Sequence, residues 1–227
     1  MSLTNSLQHV LIQLQNKSIR FALAGGLVAN LYRNEARFTN DIDFAIIQDL
    51  EDLILLEDIL KTLNLEFGQI TEGDLKNIPF RRKREKSKLQ MIIGRSKVDK
   101  SALGIDFLLS TIPWVEEAVL RAQANIVDYL DFKIPALTLE DMIIAKLYAL
   151  QNTTRFKDLD DLEQFLSYNQ DIDYVYLSGR MTRYNLPIPS DITKKLKINS
   201  ELGKVSREIM KKKKLSRTIH ESSQQKE

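Results

Sequence analysis

The sequence predicts an α/β core followed by a helical C-terminal subdomain, and three observations predict it. Strand-like and helix-like segments alternate as far as Pro135. From Thr138 onward the periodic segments have helical spacing. Mixed elements first and helices alone afterwards is the pattern of a sheet-based core carrying a helical appendage. A chain of 227 residues, 43% apolar and 28% charged, has enough material to bury such a core.

Each element follows from its residues. Leu3, Leu7, Val10, Leu11 and Leu14 recur at helical spacing, which predicts a helix over Leu3 to Gln15. Phe21 to Ala24 is a short apolar run that ends at Gly25-Gly26, a strand entering a turn, and Leu27 to Tyr32 starts a helix. Ile42 to Ile47 is β-branched and apolar except for Asp43, the composition of a buried strand. Glu51 to Leu63 is an amphipathic helix. Leu65 to Ile70 and Leu89 to Ile93 read as strands, separated by a loop and the basic run "RRKREKSK" at Arg81 to Lys88. Ile105 to Leu109 is a strand carrying Asp106, Val115 to Ala124 a helix, and Ile126 to Ile134 strand-like.

In "TLEDMIIAKLYAL", Thr138 stands as N-cap with Asp141 three residues later, a variant of the capping box. "RFKDLDDLEQFLSY" is a second helix, and shorter helical stretches continue to about Met210. The expected domains are a core over 1–135, a helical subdomain over 136–202, and a basic, polar, frayed tail over 203–227.

Composition narrows the chemistry. The absence of cysteine excludes disulfides, thiolate metal sites and cysteine nucleophiles. Two histidines near opposite ends, His9 and His220, argue against a histidine zinc site. A metal here is expected on carboxylates, which favour Mg²⁺, Mn²⁺ or Ca²⁺. A net charge of +2 does not by itself imply a nucleic-acid partner. Neither a signal peptide nor a bilayer-spanning run is expected, which places the protein in the cytoplasm with no membrane partner.

Two aspartates in one apolar strand need a physical reason, because an unpaired buried carboxylate costs several kcal/mol. Residues i and i+2 of a strand share a face, so Asp41 and Asp43 project together while Ile42 turns to the core. Two repelling carboxylates invite a divalent cation. Asp106, in "GIDFLL", is the natural third ligand if its strand neighbours theirs. Three carboxylates can hold two Mg²⁺ ions that align an attacking oxygen with a leaving phosphate. Gly25-Gly26, between strand and helix, lets backbone N–H groups approach an anion at a helix N-terminus.

The stretch "GG…RFTNDIDF" resembles the signature of polymerase-β-type nucleotidyltransferases, and Arg37 with Thr39 narrows the likeness to the AbiEii-like toxin group. "LTLEDMIIAKLYALQNTTRFKDLDDL" is similar to that group's helical segment, a Lys followed by Arg-x-Lys-Asp-x-x-Asp; the likeness spans roughly Phe21 to Phe165. The resemblance implies a nucleotidyltransferase-type mixed sheet flanked by helices, with the helical subdomain closing the cleft. It implies that Asp41, Asp43 and Asp106 bind two Mg²⁺ or Mn²⁺ ions, and that Gly25, Gly26, Arg37 and Thr39 contact the nucleotide. It further implies that Asp106 helps deprotonate the acceptor, that Lys146 neutralises triphosphate charge, and that Arg155, Lys157, Asp158 and Asp161 return to the cleft. Leu27 and Val28 follow the glycines where many relatives carry Ser or Thr, leaving that phosphate contact to the backbone.

The implied reaction is attack on the α-phosphorus of an NTP with release of pyrophosphate. The acceptor would be an RNA such as tRNA, or a protein, and an antitoxin partner is implied. A small antibiotic-type acceptor, or a binding protein that keeps the fold without activity, are the competing readings. Structural alternatives also stand: Asp43 pairing with an internal arginine such as Arg37, Asp106 with a lysine, Lys146 snorkelling from a helix edge, and Arg155, Lys157, Asp158 and Asp161 forming surface ion pairs. Arg81 to Lys88 reads first as a solvated loop.

Overall fold

The computed structural model describes residues 3–48, 52–71, 88–99, 102–151 and 155–224, and side chains as far as 216. Two compact units divide the chain, Met1–Thr138 and Leu139–Glu227. The first contains α1 (Leu3–Asn16), β1 (Arg20–Ala24), α2 (Gly25–Tyr32), β2 (Asp41–Ile47), α3 (Asp52–Thr62), β3 (Leu65–Thr71), β4 (Leu89–Ser96), β5 (Gly104–Leu109), α4 (Val115–Ala122), β6 (Ile126–Tyr129) and β7 (Phe132–Pro135). The second contains α5 (Leu139–Ala149), α6 (Phe156–Tyr168), α7 (Tyr174–Tyr184), α8 (Ser190–Lys195) and α9 (Ser200–Gln224). The fold is thus α/β with helices alone at the C-terminal end. No helix among the described residues is long and apolar enough to cross a membrane.

A five-stranded mixed sheet organises the first unit in the order β1-β2-β5-β4-β3. β2 and β5 run parallel at its centre, and the other pairings are antiparallel. Central strands are covered on both faces, and β5 is correspondingly buried along most of its length. Phe44 and Phe107 face each other across the parallel pair, ring centroids 5.9 Å apart, and Phe21 meets Phe44 edge-on at 6.0 Å. Phe44, Phe107, Ile42 and Ile46 are fully buried, and each such side chain contributes about 1.5–3 kcal/mol. Leu7, Val10, Leu11 and Leu14 form the buried stripe of α1 that the spacing predicts.

The segment Ile126 to Ile134 is a hairpin rather than one strand. Tyr129 pairs with Phe132, and Leu130 and Asp131 between them take φ of 48° and 68°. Positive φ at both central residues is the tight two-residue turn that matches strand twist. It usually announces itself as Asn-Gly, and Leu-Asp conceals it. Beyond β7 the Leu137 amide donates to the Leu23 carbonyl at 3.0 Å, which ties the end of this unit to β1.

In the second unit, α9 runs on to Gln224 through the stretch that the sequence reads as a tail. Leu202, Ser206 and Ile209 are buried at i, i+4 and i+7, so one helical stripe carries its beginning. Downstream of Gly203 no glycine or proline interrupts it before Gln224.

Candidate active site

Asp41 and Asp43 leave β2 on one face, partly exposed, while Ile42 between them is fully buried on the other. The parallel register sets Asp43 opposite Asp106 and Asp41 opposite Gly104. Asp106 stands in a buried stretch of β5 and is only 6% exposed. The antiparallel register of β4 sets Ile93 opposite Asp106, so Arg95, two residues on, shares that face.

The Arg95 guanidinium grips Asp106 with two parallel hydrogen bonds. Nη2 donates to Oδ2 at 2.8 Å and Nη1 donates to Oδ1. The same guanidinium lies 3.5 Å from Asp41 Oδ1, and its Nη1 also donates to the Gly94 carbonyl at 2.8 Å. Bidentate arginine–carboxylate pairs are strong and fix orientation. The pairing holds the Arg95 pKa above its ordinary value: the Asp106 hydrogen bond raises it most, burial opposes, and the charges of Asp106, Asp41 and Asp43 add to the rise.

Three glycines make room for this group. Gly25, first residue of α2, has φ +63°, and a Cβ there would overlap the Asp43 carboxylate. A Cβ on Gly26 would stand 2.5 Å from Thr39 Oγ1. One on Gly104 would stand 2.5 Å from Asp41 Oδ1 and 2.7 Å from Arg95 Nη1. Ala24 gives α2 no side-chain cap, so the anion-favouring end of the helix begins beside Asp43 with backbone groups alone. Asn30 fixes the approach to β2: its Oδ1 accepts from the Arg37 amide at 2.9 Å and its Nδ2 donates to the Arg37 carbonyl at 2.8 Å.

Lys146 belongs to the second unit, on α5. Its Nζ lies 2.8 Å from Asp158 Oδ1 and 2.7 Å from Asp161 Oδ2, both on α6. The three side chains are 10%, 4% and 0% exposed. Arg155 touches Asp158 from outside at 3.4 Å, its side chain 57% exposed, and Lys157 is exposed. Asp158, Asp161 and Lys146 therefore form a buried ion triad rather than surface pairs or a snorkelling lysine. Two more buried acids bind α7 to α5: Glu140 accepts from the Asp173 amide at 2.9 Å, and Asp141 from the Tyr176 hydroxyl at 2.6 Å.

The structure thus gathers Asp41, Asp43, Asp106, Gly25, Gly26 and Thr39 in the first unit, and Lys146, Arg155, Asp158 and Asp161 in the second. Arg81 to Ser87 of the basic run lie outside the described residues. Sequence reasoning missed Arg95. Its place at the end of β4 after Gly94 carries no local signal, because the register that brings it to Asp106 is set by strands distant in sequence.

The donor chemistry at β2 suits a hard cation, since carboxylate oxygens are what Mg²⁺ and Mn²⁺ prefer. Asp41 and Asp43 fit one such ion by sharing a face. The described residues contain no group of three or more acidic, histidine or cysteine side chains arranged to take a metal. Asp106, the third carboxylate of this face, is paired with Arg95.

Comparison with known proteins adds the chemistry. The family model described as nucleotidyl transferase AbiEii toxin, type IV TA system, matches residues 7–213. No curated protein matches the chain significantly. Among solved structures, ANT(2″)-Ia in complex with adenylyl-2″-tobramycin is 14% identical over 81% of this chain and 99% of that one, TM-score 0.49. JHP933 from Helicobacter pylori is 16% identical over 98% and 96%, TM-score 0.42. MenT4, a nucleotidyltransferase toxin from Mycobacterium tuberculosis, is 12% identical over 92% and 83%, TM-score 0.43.

Proposed function

The chain belongs to the AbiEii nucleotidyltransferase toxin family of type IV toxin–antitoxin systems, and from that premise we propose that it transfers NMP from an NTP to a hydroxyl of a macromolecule, an RNA such as tRNA or a protein, as a toxin restrained by an antitoxin. The observation that carries this reading is the face of β2, where Asp41 and Asp43 stand together with the Asp43 carboxylate packed on Gly25 at the start of α2. In the reaction the acceptor oxygen attacks the α-phosphorus, its hydroxyl proton passes by way of Asp106 to solvent, the bond to the β-phosphate bridging oxygen breaks, and pyrophosphate leaves. The amides of Gly25 and Gly26 take phosphate charge at the helix end, with Thr39 packed against Gly26 and Arg37 reaching the phosphates from the loop that Asn30 holds. A divalent ion on Asp41 and Asp43, when bound, lowers the negative charge around the triphosphate and the developing charge of transfer. The chain's own part is positioning: rigid strands hold both carboxylates, and the Asn30 clasp holds the loop that leads to them.

The test is transfer of label from each of four α-labelled NTPs, with Mg²⁺, into total tRNA and total cell protein. Label in one pool, lost in an Asp41→Asn, Asp43→Asn double variant, supports the reading and names the acceptor class. Label in neither pool with Mg·NTP still bound refutes the macromolecular acceptor. Loss of both transfer and binding in the wild-type chain refutes the catalytic reading.

A further inference from the structure

We propose that α9 carries a docking surface for the phosphate backbone of an RNA, a stripe formed by Lys204, Arg207, Lys211 and Lys214. This deepens the reading above by choosing RNA over protein as the acceptor, and it rests on that reading for the acceptor role alone.

Spacing places the stripe. The four residues stand at i, i+3, i+7 and i+10 of one helix, and at about 100° per residue they fall within an arc of about 80°. All four are exposed. Leu202, Ser206 and Ile209, buried on the same helix, centre about 150° away. The helix is seated from that buried side: Ser206 Oγ accepts from the Ile188 amide at 2.9 Å, and Ser178 Oγ donates to Glu201 at 3.3 Å. The cations therefore share the exposed face of a helix whose rotation is fixed by the opposite face.

Charge is concentrated there. Between Lys204 and Lys214, six cations stand against one acid, Glu208, a formal +5 in a chain whose total is +2, so the remaining residues carry −3. Cations three and four residues apart repel one another along a helix. A polyanion laid over the stripe relieves that repulsion at every step.

The apolar residues of α9 choose among polyanions. A helix that lies on a lipid surface needs a free apolar face, and Leu202 and Ile209 are already buried. A protein interface centres on apolar and aromatic anchors and is poor in lysine. The stripe has no aromatic residue, three of its four members are lysines, and the one exposed leucine that adjoins it is Leu215. Long side chains about 4.5–6 Å apart along about 15 Å of helix suit a line of phosphates, which Lys and Arg meet as charge without reading sequence.

Binding of total tRNA to the full chain without NTP, followed by fluorescence anisotropy over a salt series, tests this. Four phosphate contacts contribute about −3 to −4 to the slope of log K against log salt. The quadruple variant Lys204→Gln, Arg207→Gln, Lys211→Gln, Lys214→Gln should lose that slope and at least about tenfold in affinity at about 0.1 M salt. A control, Lys17→Gln, Lys61→Gln, Lys97→Gln, Lys133→Gln, removes the same charge from exposed positions of the first unit and should stay within about threefold of wild type. A wild-type chain that does not bind tRNA, a stripe variant that binds as wild type does, or a control that weakens as much as the stripe variant overturns the inference. Poly-glutamate bound as tightly as tRNA at equal charge marks an acidic protein partner and overturns the choice of RNA. Circular dichroism checks folding, and Lys211→Gln with Lys214→Gln alone, which should lower the slope by about 2, keeps the proposal falsifiable should the quadruple variant unfold. In label transfer to tRNA, a raised KM with unchanged kcat in the stripe variant supports the acceptor role. Binding through the stripe with no transfer by the wild type overturns that role and leaves the docking surface standing.

Discussion

Replacing Lys146 by Met should unfold most of the second unit's margin of stability. The ammonium sits 2.8 Å and 2.7 Å from two carboxylates that are 4% and 0% exposed, and it is itself only 10% exposed. Removing one partner of a buried pair leaves an uncompensated charge and costs about 3–5 kcal/mol. Here one cation serves two acids, and the exposed Arg155 at 3.4 Å offers little replacement. A loss of about 4 kcal/mol is expected, roughly three powers of ten in the folded-to-unfolded ratio. Set against the 5–15 kcal/mol that domains typically have, the change is large. Urea unfolding followed by far-UV circular dichroism measures it. Lys146→Met combined with Asp158→Asn and Asp161→Asn should regain a large part of the loss, since no buried charge is then unmatched. A Lys146→Met chain within about 1 kcal/mol of wild type that has lost NTP binding would refute this reasoning and make Lys146 a triphosphate ligand.

Other outcomes follow from the first unit. Gly25→Ala places a side chain in the left-handed region, at about 1–2 kcal/mol, and on the Asp43 carboxylate. Because displacement by about 1 Å is enough for a hundredfold loss of rate, label transfer should fall by at least that while circular dichroism stays near wild type. Phe107→Ala removes the ring stacked on Phe44 and should cost about 3–5 kcal/mol in urea unfolding. Arg95 has its pKa raised in the folded chain, so its contribution is complete below the unfolded-state value and is lost only as pH climbs through the folded one. Both lie above the working range, and the stability difference between wild type and Arg95→Gln should therefore be constant from about pH 6 to 10. Unfolding midpoints across that range check it.

Much of this architecture was legible because periodicity is a local property. The stripe of α1 and the Ile42 parity of β2 depend only on residues two to four apart. The pairing of Asp41 with Asp43 is readable for the same reason. What was hidden depends on distant partners. Arg95 reaches Asp106 only once β4 and β5 pair in one register of several, and a one-residue slip would turn it to the opposite face. Asp158 and Asp161, three apart on α6, share a helix face in any reading, but whether that face meets water or Lys146 is decided by α5. The hairpin at Leu130-Asp131 was concealed by residue types that seldom adopt its dihedrals.

The two acid clusters answer one physical problem in opposite ways, and the contrast is the best guide to which of them does chemistry. Carboxylates in a low-dielectric setting need matching positive charge. In the second unit a buried lysine lies between two acids with a rim arginine outside, and Asp161 has no exposure. In the first unit the Arg95 guanidinium touches Asp106 and Asp41, and Asp41 keeps a third of its side-chain surface open. A closed group stabilises a fold. The partly open pair Asp41 and Asp43 beside the uncapped start of α2 is the arrangement on which the proposed nucleotidyl transfer rests.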